Sequence, residues 1–371
     1  MSKPRILFIL HLPPPIHGAA MMGKYIHDSQ IINDNFNCHY INLTLAKDMH
    51  DIGKGGIKKL LHFITLLSHI RKEIKKFNPD LCYVTPNAKG GAFYKDFIVI
   101  TILKALNQKI VIHYHNKGVS TNENRFLDNI LYKYFFKHLK VIILAEQLYA
   151  DIKKYVDRTN VYICPNGIPQ QKVSPSKIIH EGFNILFLSN MMQAKGVWDL
   201  VEACKILKDK KKTFKCDFIG KWSDISEDFF TTKIHALKLD NIIFAHGAKY
   251  GNDKKDFFEK ADLFVFPTLN EAFGLVLLEA MEYKIPCIAT NEGGIPSIIE
   301  NNISGFIVEK NSPELLAEKI EYMIDNPEIC QAMGNRGKIK FEKEFTLSQF
   351  ENRLKFILTN IISANQESIV R

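Results

Sequence analysis

Short apolar runs bounded by turn residues alternate along this chain with longer segments in which apolar residues recur every three or four positions. That rhythm predicts buried parallel strands joined by amphipathic helices, the α/β class. In the first half, strands are expected at residues 6–10, 38–42, 81–85, 109–113, 141–144 and 161–164. Helices are expected to open near Ala19 and to span 57–77, 96–106 and 127–136. In the second half, the strands fall at 183–188, 215–220, 242–246, 261–267, 285–290 and 305–308, with a helix at 197–208. From Ser312 the pattern is helical throughout, and 345–362 reads as the last helix. Residues 169–182 are polar, hold prolines and show no periodicity, so they read as a linker between domains at 1–168 and 183–345.

One stretch concentrates the chemistry. Residues 270–281, NEAFGLVLLEAM, follow the strand that ends at Pro267 and a loop over 268–273. Gly274 opens a helix in which Leu275, Leu278 and Met281 recur at three-residue spacing, which puts Glu271 on the loop and Glu279 on the helix. The first turn of a helix leaves backbone N–H groups unpaired and carries partial positive charge, so it can hold phosphate without a metal. Gly274 removes the Cβ that would keep a phosphate away. Carboxylates accept two hydroxyl protons at once and so read the diols of sugars and ribose. Two glutamates eight residues apart also arise by chance on helices. The pattern gains weight from its neighbour one strand later, the close-approach loop Gly293-Gly294-Ile295-Pro296.

Other candidates lie in the first half. The first strand leads into a stiff Pro-Pro-Pro-Ile-His-Gly loop ending at Gly18, where backbone can approach a ligand closely or simply turn. No Gly-x-Gly-x-x-Gly follows that strand, which weakens an NAD or FAD reading. His113 and His115 stand where a parallel strand runs out, at the sheet edge where open α/β proteins bind ligands. No third ligand lies near them, so no metal site is expected. On helix 57–77, Lys58, Lys59, His62, Arg71, Lys72, Lys75 and Lys76 flank the apolar stripe. They form a solvated basic face or, with the loop at 47–56, a peripheral contact of residues 47–77 with an anionic membrane.

Composition narrows the class. At 371 residues and 46% hydrophobic, the chain is long enough for two globular domains. No apolar run reaches the length of a membrane span, and the N-terminal apolar run reads as a first strand rather than a leader. Seven cysteines without a Cys-x-x-Cys fit small core residues of a reduced, cytoplasmic protein. The net charge of +9 is uneven: residues 1–180 hold 25 Lys and Arg against 12 Asp and Glu, and residues 181–371 hold 24 against 28. A basic first half suggests an anionic partner there. Lysine dominates and no nucleic-acid motif is present, so nucleic acid is not the expected partner.

The Glu271-x7-Glu279 spacing and the Gly293-Gly294 loop resemble the C-terminal half of the retaining glycosyltransferases of family 4, among the glycosyl transferases of group 1. The resemblance covers most of residues 6–360 and is strongest from 183 to 310. It implies two Rossmann-like doubly wound domains facing a cleft, the GT-B architecture, with a C-terminal helix over 346–371 crossing back to an acceptor-binding first domain. It also implies a metal-independent transfer of sugar from a nucleotide-diphosphate sugar, with no cofactor; no Asp-x-Asp is present to hold a metal. Glu271 is then expected to contact the donor sugar, Glu279 the ribose, and His115 the sugar from the first domain. Residues 188–196, LSNMMQAKG, resemble the family's Gly-Arg-x4-Lys-Gly phosphate sequence: Lys195 and Gly196 match, while Ser189 and Asn190 replace Gly and Arg. Asn190 cannot grip two phosphate oxygens as an arginine fork does. The implied catalytic residues are Glu271, His115 and Lys195, and the implied substrate contacts are Gly18, Asn190, Phe273, Gly274, Leu275, Glu279 and Gly294. The implied acceptor is a glycan or lipid-linked glycan, at the inner face of the cell membrane. Two other readings remain at this point: a nucleotide-sugar 2-epimerase, and a non-catalytic subunit that binds nucleotide-sugars.

Overall fold

The computed structural model describes residues 3–15, 17–44, 57–171 and 182–367. The loop expected at 47–56 and most of the linker expected at 169–182 lie outside the described residues. Two compact units form, one from the N-terminus to Asn166 together with Leu347 onward, the other from Gly167 to Thr346.

The first unit runs β1 (Arg5–Leu10), α1 (Gly18–Asp28), α2 (Gln30–Asn35), β2 (Asn37–Asn42), α3 (Ile57–Phe77), β3 (Leu81–Val84), α4 (Gly90–Ala105), β4 (Ile110–His113), α5 (Phe126–Phe136), β5 (Lys140–Ile143), α6 (Tyr149–Ile152) and β6 (Val161–Ile163). Its six strands pair in parallel in the order β2-β1-β3-β4-β5-β6. Ile6 to Leu10 are wholly buried, as a parallel strand covered by helices on both faces requires. The sequence pattern misses α2, a single polar turn that Ser29 starts by accepting a 3.1 Å hydrogen bond from the Ile32 N–H. It also starts α4 six residues late, because Gly90 and Gly91 read as loop.

The second unit runs β7 (Asn184–Leu188), α7 (Val197–Asp209), β8 (Lys215–Ile219), α8 (Glu227–Ala236), β9 (Ile243–Ala245), α9 (Lys255–Lys260), β10 (Leu263–Phe266), α10 (Leu275–Glu282), β11 (Cys287–Thr290), α11 (Ile295–Ile298), β12 (Gly305–Val308), α12 (Pro313–Asp325) and α13 (Pro327–Glu344). Its parallel sheet has the order β12-β11-β10-β7-β8-β9. The chain therefore winds outward from β7 to β9, returns to the other side of β7, and winds outward again from β10 to β12. Open α/β sheets bind ligands at such a reversal, here between the carboxyl ends of β7 and β10.

The helical tail is broken once more than expected, at Pro327, ahead of the last helix that the pattern starts at 345. Pro327 starts α13, where its missing N–H costs nothing, and in doing so ends α12. The last helix, α14 (Leu347–Glu367), is part of the first unit and packs on α2. No helix among the described residues is long and apolar enough to cross a membrane.

Candidate functional site

The reversal point of the second sheet is lined by the loops after β7 and β10. The turn after β7 carries Lys195, and Gly196 follows it at φ +72°. A Cβ on Gly196 would lie 1.9 Å from the Pro267 carbonyl, so glycine alone lets this turn rest on the end of β10. The two loops are then stitched together by Leu269 N–H donating to the Ala194 carbonyl at 2.9 Å.

This approach brings Lys195 to Glu271. The Lys195 Nζ lies 2.9 Å from Glu271 Oε2 and 3.1 Å from the Asn270 carbonyl, with both side chains about four-fifths buried. The other carboxylate oxygen, Oε1, accepts from the backbone N–H groups of Ala272 at 3.0 Å and Phe273 at 3.4 Å. Glu271 is thereby held on both oxygens, with an ammonium at the point where a diphosphate charge is expected.

A further loop supports this one. Gly293 sits at φ +53°, and a Cβ there would lie 2.2 Å from the Glu271 carbonyl. Gly294 N–H donates to the Ala272 carbonyl at 2.8 Å, so its polar group serves the loop. Glu292, 5% exposed, accepts from the Glu271 N–H on Oε1 at 3.3 Å and pairs with Lys310 Nζ on Oε2 at 2.8 Å. Sequence reasoning singled out Gly293-Gly294 but missed the adjacent Glu292, whose place beside that loop was the available signal.

Gly274 caps α10 at φ +94°, and Leu275 and Val276 begin the helix. The buried face of α10 is Leu277, Leu278 and Met281, so Leu275 is turned off the core stripe expected from its spacing and is half-buried. Phe273 is 2% exposed, its ring set against Phe345, and it offers the site its backbone rather than its side chain. One turn into α10, Glu279 Oε2 pairs with Lys254 Nζ at 2.5 Å. Lys254 lies in the polar run before α9 and carried no signal in the sequence. Asn190 is half-buried just past β7.

Three lysine–glutamate pairs thus stand along the carboxyl edge of the second sheet: Lys195 with Glu271, Lys254 with Glu279, and Lys310 with Glu292. Each joins residues from separate loops or helices. The edge is charged yet locally neutral, which suits a ligand carrying both phosphate and hydroxyl groups.

The first unit has its own reversal point, between β1 and β3. His11, just past β1, lies 3.4 Å from Thr44 Oγ1 and 3.3 Å from Asn87 Nδ2. Burial, then the nearby charges of Lys95, His17 and His115, push the His11 imidazole down to about 3. His17 caps α1, its Nδ1 accepting from the Ala20 N–H at 3.3 Å, and Gly18 is exposed as the first helical residue. His115 lies beside Asn166, and burial pushes it down to about 4, so it is neutral near pH 7. His113 is a core residue, with its Nδ1 2.6 Å from the Tyr83 hydroxyl. Asn116 braces the edge by accepting from the Ala88 N–H at 2.9 Å. Among the described residues, no three His, Cys, Asp or Glu side chains gather as a metal site.

Comparison with known proteins bears on both units. Residues 170–340 match the family described as Glycosyl transferases group 1. A capsular polysaccharide biosynthesis glycosyltransferase, CapM of Staphylococcus aureus, is 29% identical over 46% of this chain and 44% of its own length. A putative colanic acid biosynthesis glycosyltransferase, WcaL of Escherichia coli (strain K12), is 24% identical over 69% of this chain and 65% of its own. The chain therefore spans less than two thirds of the length of these relatives. Anabaena Alr3699/HepE, solved in complex with UDP, superposes with a TM-score of 0.76 over 96% of this chain and 100% of its own at 15% identity, a likeness of fold.

Proposed function

We propose, for a chain whose fold is that of the GT-B glycosyltransferases and whose residues 170–340 match their group 1, that the protein moves a sugar from a nucleotide-diphosphate sugar to an acceptor hydroxyl. The transfer retains the anomeric configuration and needs no metal. The observation that carries this reading is the Lys195–Glu271 pair at the reversal point between β7 and β10.

Breaking the bond between the sugar and the diphosphate leaves negative charge on the departing phosphate, and stabilising that charge is the largest task of the site. Lys195 and the first N–H groups of α10 supply fixed positive charge there. Glu271, set by the Ala272 and Phe273 N–H groups, accepts hydroxyl protons of the donor sugar. Glu279 accepts those of the ribose. The acceptor oxygen bonds to the anomeric carbon on the face the diphosphate leaves, and its proton passes to the leaving phosphate oxygen. In the first unit, a neutral His115 offers one donor and one acceptor to a ligand hydroxyl at the sheet edge.

The first unit takes the acceptor, and its basic charge favours an anionic or lipid-linked glycan at the inner face of the cell membrane. Two of the relatives are named for capsular polysaccharide and colanic acid synthesis, which supports an acceptor of the cell-surface polysaccharide class. Incubation with UDP-, GDP- and ADP-sugars in EDTA, following free nucleotide, tests the reading. One donor is expected to be consumed, with product NMR showing retained configuration. Conversion of a donor to its epimer without an acceptor, or donor binding with no turnover on any acceptor, would contradict it.

A further inference from the structure

In the first sheet, the step from β1 to β2 runs one way and the steps from β2 to β5 run the other. Right-handed crossovers therefore put α1 and α2 on one face, where α14 joins them, and α3, α4 and α5 side by side on the other. The chemistry of this second face is uniform across three separate helices. Among its exposed apolar side chains are Leu61 and Ile64 on α3, Ile98 on α4, and Phe126, Leu127 and Ile130 on α5, from 42% to 83% exposed. On α5, the spacing of Phe126, Leu127 and Ile130 puts them on one stripe, opposite the buried Asp128, Tyr132 and Phe135. Two of these helices, α4 and α5, are fastened to one another: the Tyr94 hydroxyl donates to Asp128 Oδ1 at 2.7 Å, and Lys104 Nζ donates to the Phe135 and Lys137 carbonyls at 2.9 Å.

The charges follow the same division. Each of the three helices has a single acidic residue, Glu73, Asp96 and Asp128, and these are 9%, 0% and 3% exposed. Each has a local partner: Glu73 pairs with His39 at 3.1 Å, Asp96 with Lys95 at 3.1 Å, and Asp128 receives Tyr94. Arg71, Lys72, Lys75, Lys76 and Lys133 are exposed, so every exposed charge among the described residues of these helices is basic or a histidine. A helix face meant only for water carries both signs of charge and few large apolar groups. A protein interface is depleted in lysine at its centre. Lysines interleaved with Phe, Leu and Ile instead fit the boundary of an anionic bilayer, where ammonium groups meet lipid phosphates and apolar side chains enter below them.

We propose that the α3–α4–α5 face docks the protein on an anionic lipid bilayer, with Phe126, Leu127 and Ile130 entering the headgroup region. This moves the centre of contact from the 47–77 segment to α5, and it rests on the first unit's surface rather than on the donor site. Flotation of the full chain with vesicles tests it, using pure phosphatidylcholine and phosphatidylcholine mixed with phosphatidylglycerol. Binding to the mixed vesicles is expected, with little to the neutral ones. The Phe126→Ser/Leu127→Ser/Ile130→Ser variant should bind about tenfold more weakly or worse. Lys72→Glu/Lys75→Glu/Lys133→Glu should lose the preference for anionic lipid, as should wild type in about 1 M salt. All these side chains are exposed, and circular dichroism melts matching wild type confirm that the variants fold. Turnover of a soluble donor should be unchanged in both variants, which separates this inference from the transferase reading. Absence of binding to anionic vesicles, or binding that neither variant weakens, overturns it. Self-association of wild type in sedimentation that the serine variant abolishes would also overturn it, assigning the face to a second copy of the chain.

Discussion

Lys195 and Glu271 are 76 positions apart in the chain and 2.9 Å apart in the structure, brought together where the second sheet reverses its winding. The pair holds an ammonium at the loop that leads into α10, while two backbone N–H groups fix the carboxylate. In the proposed reaction the donor's diphosphate competes for the ammonium and its sugar for the carboxylate, so that the pair would be exchanged for ligand contacts.

Lys195→Ala is expected to lower donor turnover about 10²- to 10³-fold, the usual loss when one donor to developing negative charge is removed. Glu271→Gln keeps the shape but not the charge, and should raise KM and lower kcat together. Steady-state kinetics on the preferred donor check both. An unchanged kcat/KM in Lys195→Ala would remove the ammonium from the proposed role.

The Lys254–Glu279 pair should behave differently. Glu279→Ala is expected to raise KM for the donor more than it lowers kcat, because a ribose contact is made equally in ground and transition states. A double-mutant cycle with Lys254→Ala should show a coupling of about 1 kcal/mol in donor binding, the scale of a partly exposed ion pair. Strict additivity would mean that Lys254 does not position the carboxylate.

Glu292 supports the loop from below. Glu292→Ala leaves the Glu271 N–H and Lys310 short of a partner and should cost about 2 kcal/mol of stability. Because it acts by placing Glu271, turnover should fall too, and Glu292→Gln should rescue the melting temperature more fully than it rescues kcat.

Acid should weaken the first unit through its histidines. The folded protein holds His115 at about 4, below the ordinary 6.5, so between those values the unfolded chain takes up a proton that the folded one refuses. Stability is therefore full above pH 6.5 and falls as the pH drops towards 4. At pH 5 the loss from this one group should be about 2 kcal/mol, and His115→Gln should show a shallower decline. Denaturant midpoints at pH 7.5 and pH 5 measure the difference; equal slopes for wild type and variant would show that His115 takes up its proton as readily in the folded protein as in the unfolded one.

Much of the fold was legible because buried parallel strands write themselves as short apolar runs. Helix 57–77 was readable to its ends, since its stripe is long and its acidic residue solitary. What escaped were elements set by local contacts rather than by periodicity: α2 and α8, each started by a serine, and the break in the tail made by Pro327. Glu271 and Glu279 stood out because their spacing and neighbouring glycines are local in sequence, and Lys195 through the likeness of residues 188–196 to a known phosphate-binding sequence. Their partners did not, because Lys254, Glu292 and Lys310 reach them only through the order of strands. The exposure of Phe126 and Leu127 was equally hidden, since a helical stripe in sequence does not say which side faces the sheet.

The most direct test of the central claim is calorimetric titration of the purified protein, in EDTA, with UDP-, GDP- and ADP-sugars, repeated with Lys195→Ala and Glu279→Ala. The account predicts selective binding within one base series, weakened about tenfold or more by each substitution. Absence of binding for every donor, or equal binding by wild type and both variants, would contradict the placement of a nucleotide-sugar site at the β7–β10 reversal point.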